Sequence, residues 1–357
     1  MKKIYTFLPL LLMICSFSFA AVRTVCNIPT PSAQYSTIQA AIDASGNGDT
    51  IMVQGTSLTY TGFTLANKRV VIIGPGWWPQ SQISAVPATV ATSVINNAVA
   101  SGSEIQGLTF VGLNITTASI NNLRFIRNHF TGSITIGANT LTYSGYLFEG
   151  NWFEKSYIQA NVASYFSNFI IQNNLFYAGG ILYFTNSSNI VVDHNLFYYS
   201  GLYYPFGTNS YYACYNLVIQ NNIFSKAAPV YGTSSTVKCT FKNNITFNTP
   251  ATAPWTQNSN VDGGGNVLNQ DPQMADQALV NSGTDNPLLN FTIAAGPANN
   301  KGNDGKDMGL LYNTTGSLNW NNSRTSRLPY IFTMKIANPT VASNGTLSVT
   351  LEARKNN

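Results

Sequence analysis

Charge is what this sequence has least of. Only 9% of its 357 residues are Asp, Glu, Lys or Arg, against about a quarter in an average soluble domain. The formal net charge of +5 is too weak and too scattered for a nucleic-acid footprint. Acid is scarcest in the middle, where the stretch between Gly107 and Asn260 holds just Glu149, Glu154 and Asp193. Chemistry that needs several carboxylates gathered together has little to draw on there. The chain also lacks any run of 18 unbroken apolar residues, so no segment reads as a membrane-spanning helix.

What is present instead is Asn, Ser, Thr, Gly and Tyr, a texture of many turns and strands. The first twenty residues read as an export leader: Lys2 and Lys3, the apolar run "FLPLLLMIC", then the small-x-small site Ser18-Phe19-Ala20. Cys15 fits a lipidation site poorly, because the bulky Ile14 precedes it. Removing Lys2 and Lys3 leaves 16 basic and 13 acidic side chains, a net charge of +3. The expectation is a secreted or cell-surface chain without a membrane span.

The strongest signal is an internal repeat. An Asn recurs at 128, 151, 174, 195, 222, 244 and 266, in settings such as "EGNWF", "QNNLF" and "DHNLF", with spacings of 23, 23, 21, 27, 22 and 22 residues. Aligned on it, apolar residues fall five before (Leu123, Tyr146, Phe169, Ile190, Leu217, Cys239, Val261) and three before (Phe125, Phe148, Ile171, Val192, Ile219, Phe241, with Gly263 last). Two after stand Phe130, Phe153, Phe176, Phe197, Phe224, Thr246 and Leu268. Apolar residues at every second position mean a strand with one buried face. One such unit is one lap of a parallel β-solenoid. The Asn is expected to turn the corner, because Asn tolerates left-handed backbone, and to form an amide ladder from lap to lap above a stack of Phe rings.

Less regular strands precede these seven units: "DTIMVQG", "RVVIIGPG", "TSVINN" and "EIQGLTFVG". Ahead of them "YSTIQAAIDASGNGDT" reads as a short helix from Ser36 to about Ala44, placed to cap the open end of the solenoid. Beyond Leu310 the chain turns polar. Two further strand candidates flank Asn344-Gly345, a C-terminal cap or strand pair over residues 311–357.

Together, "YSTIQAAIDASGNGDTIMV", the "NNLF"-type laps and "NQDPQM…NFTIAAGPANNKGNDGKDMG" resemble the secreted bacterial right-handed parallel β-helix proteins of the pectin lyase-like superfamily. The resemblance spans roughly Tyr35 to Gly309. It implies an all-β, single-stranded right-handed parallel β-helix over residues 21–310, of ten or eleven laps, with a short N-terminal capping helix. It does not fix an activity, since one fold hosts many functions. Relatives that cleave polysaccharides use calcium-holding carboxylates with an Arg or Lys base, or several Asp with a Gly-His-Gly histidine. Neither pattern is present here.

The weak catalytic candidates are Glu149, Asp193, His194, Lys242 and Arg127, which share two neighbouring columns expected to face outward. The plainer reading is a solvated polar stripe in which Asp193 and Lys242 are two laps apart. His129 reads as an exposed turn residue. A better case for function is the run of tyrosines in the longest lap, Tyr198, Tyr199, Tyr203, Tyr204, Tyr211, Tyr212 and Tyr215. Rings beside amides and hydroxyls suit neutral sugars, though some of these rings could equally extend the core. "GNDGKDMG" offers calcium only Asp304 and Asp307, too few ligands. Cys214 and Cys239 are candidates for a disulfide, with Cys26 left over. The leading expectation is a non-catalytic carbohydrate-binding or surface protein. The alternatives are a polysaccharide lyase or glycoside hydrolase, and a purely structural adhesive protein.

Overall fold

A computed structural model describes residues 20–29, 33–78, 86–138, 140–161, 163–207, 213–232, 235–250, 252–312, 318–325, 330–337 and 344–354. The expected leader lies outside the described residues except for Ala20. The rest is a mostly-β solenoid of about nine turns, somewhat shorter than the repeat count suggested. The first sheet has eleven strands, but the second has eight and the third six, so the end strands belong to incomplete laps.

Each lap contributes one short strand to each sheet, and the register holds the repeat columns in line. Phe125 pairs with Phe148, Phe148 with Ile171, Ile171 with Val192 and Val192 with Ile219, all parallel. In the second sheet Phe130, Phe153, Phe176, Phe197 and Phe224 follow one another in the same way. Their rings stack inside the solenoid with centroids 4.6–5.0 Å apart, close to the spacing of adjacent strands. The last unit frays: Val261 and Leu268 are exposed because no further lap covers them.

The corner between the first and second sheets is built by two residues with divided roles. The ladder Asn is fully buried from Asn128 to Asn244, and it is not the residue with left-handed backbone. That conformation belongs to the residue before it: Arg127, Gly150, Asn173, His194, Asn221 and Asn243 have φ between +51° and +65°. The expectation that the ladder Asn itself turns the corner is therefore corrected. With the turn made one residue earlier, each ladder amide points inward, where Asn151 Nδ2 donates to Asn174 Oδ1 at 2.9 Å and Asn174 Nδ2 to Asn195 Oδ1 at 3.0 Å.

The helix Ile38–Ala44 closes the N-terminal end, with Thr37 capping it through a bond from Ala40 N. Past the last lap, residues 271–312 and 318–325 run back along the solenoid as a strap. Strands Tyr330–Ile336 and Val349–Arg354 form an antiparallel pair. No helix among the described residues is long and apolar enough to cross a membrane. Cys214 and Cys239 are buried free thiols, not a disulfide. Both face the interior from different laps, Cys239 Sγ lying 3.5 Å from the Cys214 carbonyl oxygen. Burial pushes both thiols well above their ordinary range, that of Cys239 to about 12.

Candidate functional site

The strap decides which surfaces remain open. It packs on the outer face of the second sheet through Leu175, Leu196, Ile223, Val280, Leu289 and Phe291, all buried. Each such side chain contributes about 1.5–3 kcal/mol, so the strap is an integral layer of the fold. It also covers the corner. Leu311 N donates to Asn173 Oδ1 at 2.7 Å, Gly309 N to the Asn221 carbonyl at 2.7 Å, and Asn243 Nδ2 to the Lys301 carbonyl at 2.7 Å.

That covering breaks up the cleft suggested by the sequence. His194 is 4% exposed; its Nδ1 meets the Gly309 carbonyl at 3.2 Å, and its Nε2 lies between Asp304 at 3.4 Å and Asp193 at 3.8 Å. It fastens the strap. Arg127 is buried at the same corner, three laps from His194. Glu149 is buried too, contrary to its expected outward exposure, and accepts from Gln172 Nε2 at 2.8 Å. Lys242 is exposed, and Gln220 stands between it and Asp193 in the register. The five groups do not converge. Nor do the residues of "GNDGKDMG" fit calcium: Asp304 holds Lys306 at 3.0 Å, and Asp307 accepts from Asn300 N. Among the described residues, no three His, Cys, Asp or Glu are placed to hold a metal ion.

The tyrosines divide similarly. In the longest lap the second-sheet strand is drawn out to Leu196–Tyr203, and its register shifts between Tyr198 and Tyr203. Tyr198 is fully buried and donates to the Thr284 carbonyl of the strap at 3.0 Å. Burial raises its hydroxyl well above the usual range. Tyr203 packs against the solenoid core and its hydroxyl is raised likewise by burial. Tyr199 and Tyr204 remain half-buried at the surface. Tyr199 meets Tyr177 edge-on at 5.5 Å, and Tyr204 meets the exposed Tyr231 at 4.4 Å. Tyr215 is half-buried in a separate two-stranded sheet. Tyr211 and Tyr212 lie outside the described residues.

Beside Tyr199 the fold assembles a group that sequence reasoning missed. Trp152 and Glu154 alternate with the inward Phe153 on one strand, so both face outward. His129, one lap earlier, stacks on Trp152 at 3.7 Å and bonds Glu154 Oε2 through Nε2 at 2.9 Å. It is a buried partner, not an exposed turn residue, because Trp152 pairs directly with it in register. The hydrogen bond from His129 lowers the Glu154 carboxyl, whereas burial lowers the affinity of His129 for a second proton. The strap then brings Asp285 against Glu154. Burial, followed by the Glu154 charge, raises Asp285 to about 6. The two carboxyls lie near enough for each to influence the other's ionisation, with side chains 28% and 25% exposed. Glu154 and Asp285 are 131 positions apart in the chain, and nothing local in the sequence announces their meeting.

Comparison with known proteins bears on the fold. The right handed beta helix region family matches residues 89–270. No curated protein matches the sequence. Among solved structures, the chain is similar to a PL6 family alginate lyase, AlyGC, at 14% identity and TM-score 0.27, covering 65% of this chain. This chain spans half the length of that lyase. It is also similar to the pectate lyase Pel9A, at 14% identity and TM-score 0.37, over 85% of this chain and 97% of that one. The Escherichia coli protein ybhc matches at 12% identity and TM-score 0.29, over 75% and 87%.

Proposed function

We propose that this chain, which belongs to the right-handed β-helix family, is an exported protein of the pectin lyase-like kind that binds carbohydrate on the outer face of its second sheet. The carrying observation is the half-buried Tyr199 ring set beside Tyr177, near the outward carboxyls of Glu154 and Asp285. A ring offers its face to the C–H side of a sugar, and paired carboxyl oxygens accept from neighbouring hydroxyls. Export is supported by the leader pattern of residues 1–20.

Polysaccharide cleavage is the second reading, favoured by the raised Asp285, which could hold a proton for a leaving group near neutral pH. Against it, both carboxyls already have partners of their own: His129 bonds Glu154 at 2.9 Å and Lys155 pairs with Asp285 at 3.5 Å. The test is to incubate the purified protein with a panel of neutral, acidic and amino polysaccharides, following pull-down, reducing ends and absorbance of unsaturated products. Binding without products, lost in Tyr199→Ala while the circular dichroism spectrum is unchanged, is the expected result. Turnover that disappears in Asp285→Asn would replace binding with hydrolysis.

A further inference from the structure

The strand Val22–Val25 is the free edge of the first sheet, paired in parallel with Thr50–Val53. A strand at a chain end frays unless something ties it down. Ala21, the residue before it, is tied through both of its backbone groups. Its N–H donates to Asp49 Oδ1 at 2.7 Å, and its carbonyl accepts from Thr50 N at 2.9 Å.

The carboxylate that receives that nitrogen is itself held in place. Asp49 is 6% exposed. Its Oδ2 takes Gly46 N at 2.9 Å and the Arg23 guanidinium, whose Nε and Nη2 both stand 3.3 Å away. Oδ1 faces Ala21. The bond from Gly46, joined by those from Ala21 and Arg23 and opposed by burial, holds the carboxyl below the usual carboxylate range. Asp49 is therefore charged at neutral pH, and it gains more from a cationic donor than from a neutral amide.

The Ala20–Ala21 peptide bond is where the leader pattern ends. Hydrolysis there consumes one water and leaves a carboxylate on Ala20 and an amine on Ala21, which takes up the released proton at neutral pH. Ala20 is exposed, so losing it uncovers no core. We propose that leader removal completes the N-terminal end of the fold, because the new ammonium of Ala21 pairs with Asp49 Oδ1 and locks the edge strand. The inference rests on the export reading above and names what processing does to the structure. The charged groups around the ammonium are Asp49 and Arg23, with the Tyr35 hydroxyl accepting from Arg23 Nη1 at 3.1 Å behind them. A paired ammonium holds its proton to higher pH. The lock is therefore whole below the ordinary α-amine range of about 7.7–8.0 and is lost as pH rises through the raised value.

Mass spectrometry of the chain exported by a bacterial host expressing the full sequence should give Ala21 as the first residue. The protein beginning at Ala21 is then isotope-labelled in its alanine methyls, and the NMR shift of Ala21 is followed against pH. Its amine should hold its proton several-fold more tightly than an ordinary α-amine, with a midpoint at about pH 8.5 or above. Asp49→Asn should return that midpoint to about 7.7–8.0. Acetylating the Ala21 amine keeps the N–H donor and removes the charge, and should speed hydrogen exchange of the Thr50 amide several-fold at neutral pH. A wild-type midpoint inside or below the ordinary range, or equal exchange in the free and acetylated forms, overturns the ion pair and leaves the export reading standing. A chain cut elsewhere overturns the inference alone, and an uncut chain overturns the export reading as well.

Discussion

The side chain of Asn174 makes four hydrogen bonds with one carboxamide. Its Nδ2 donates to the Phe148 carbonyl and to Asn195 Oδ1, and its Oδ1 accepts from the Asn151 backbone and side chain. That is the full capacity of an amide, used in a site closed to water. Asn174→Ala would strand several of these partners, each at about 1–3 kcal/mol. The thermal midpoint should fall steeply, by an amount matching roughly 3–5 kcal/mol. Asn173, one position earlier, is a different case. Its φ of +54° is what the corner requires, and Asn173→Ala should cost roughly 1–2 kcal/mol from backbone conformation, plus the bond to Leu311 N. A smaller loss at Asn174 than at Asn173, in paired melting curves, would reverse the division of labour drawn for the corner.

Among the elements, the strap is the one whose docking depends on pH. Asp285 has its carboxyl raised to about 6 when the strap is down, above the value of about 3.9 for a free Asp. A raised carboxyl binds protons more tightly in the docked state, so its contribution is fully present below about pH 4 and is lost as pH rises through 6. Glu154 acts in the opposite direction, because it is lowered and loses its contribution as pH falls into the acid range. Local protection of the Gly283 and Thr284 amides, read by hydrogen exchange, should therefore decline between pH 5 and pH 7. Asp285→Asn should flatten that dependence. The change stays local, because the buried apolar side chains under the strap outweigh one titrating carboxyl. Tyr198→Phe removes the bond to the Thr284 carbonyl and should lower stability by about 1 kcal/mol, measurable as a shift in urea midpoint.

Over the whole molecule, the solenoid hides its cysteines. Cys26, Cys214 and Cys239 are all buried and unpaired. No thiol of these three should react with a thiol reagent in the native protein, and all three should react in denaturant without prior reduction. A native count above zero would contradict their burial, and a denatured count of one would restore the disulfide that the structure removes.

The lap, the inward columns and the ladder were legible from the chain alone because each recurs at nearly constant spacing. A repeated environment demands the same residue type again, and repetition lifts it above noise. The left-handed position was misassigned because Arg, Gly, Asn and His all occupy it, so it has no single letter to read. His129 was misread for a related reason: its burial comes from Trp152, which belongs to the next lap.

Sequence by itself determined the parallel solenoid, the interior Phe stack and the cap at its start, since these depend on contacts between equivalent residues one lap apart. Only the tertiary structure decided where the strap lies, and with it which polar groups stay open. It closed the corner of His194 and Arg127, left Tyr199 at the surface and set Asp285 against Glu154. The physical reason is that the strap meets the solenoid without periodicity, through pairs such as Asn243 with Lys301 and Asn173 with Leu311, 58 and 138 positions apart. Such a contact leaves no pattern in the chain to be counted.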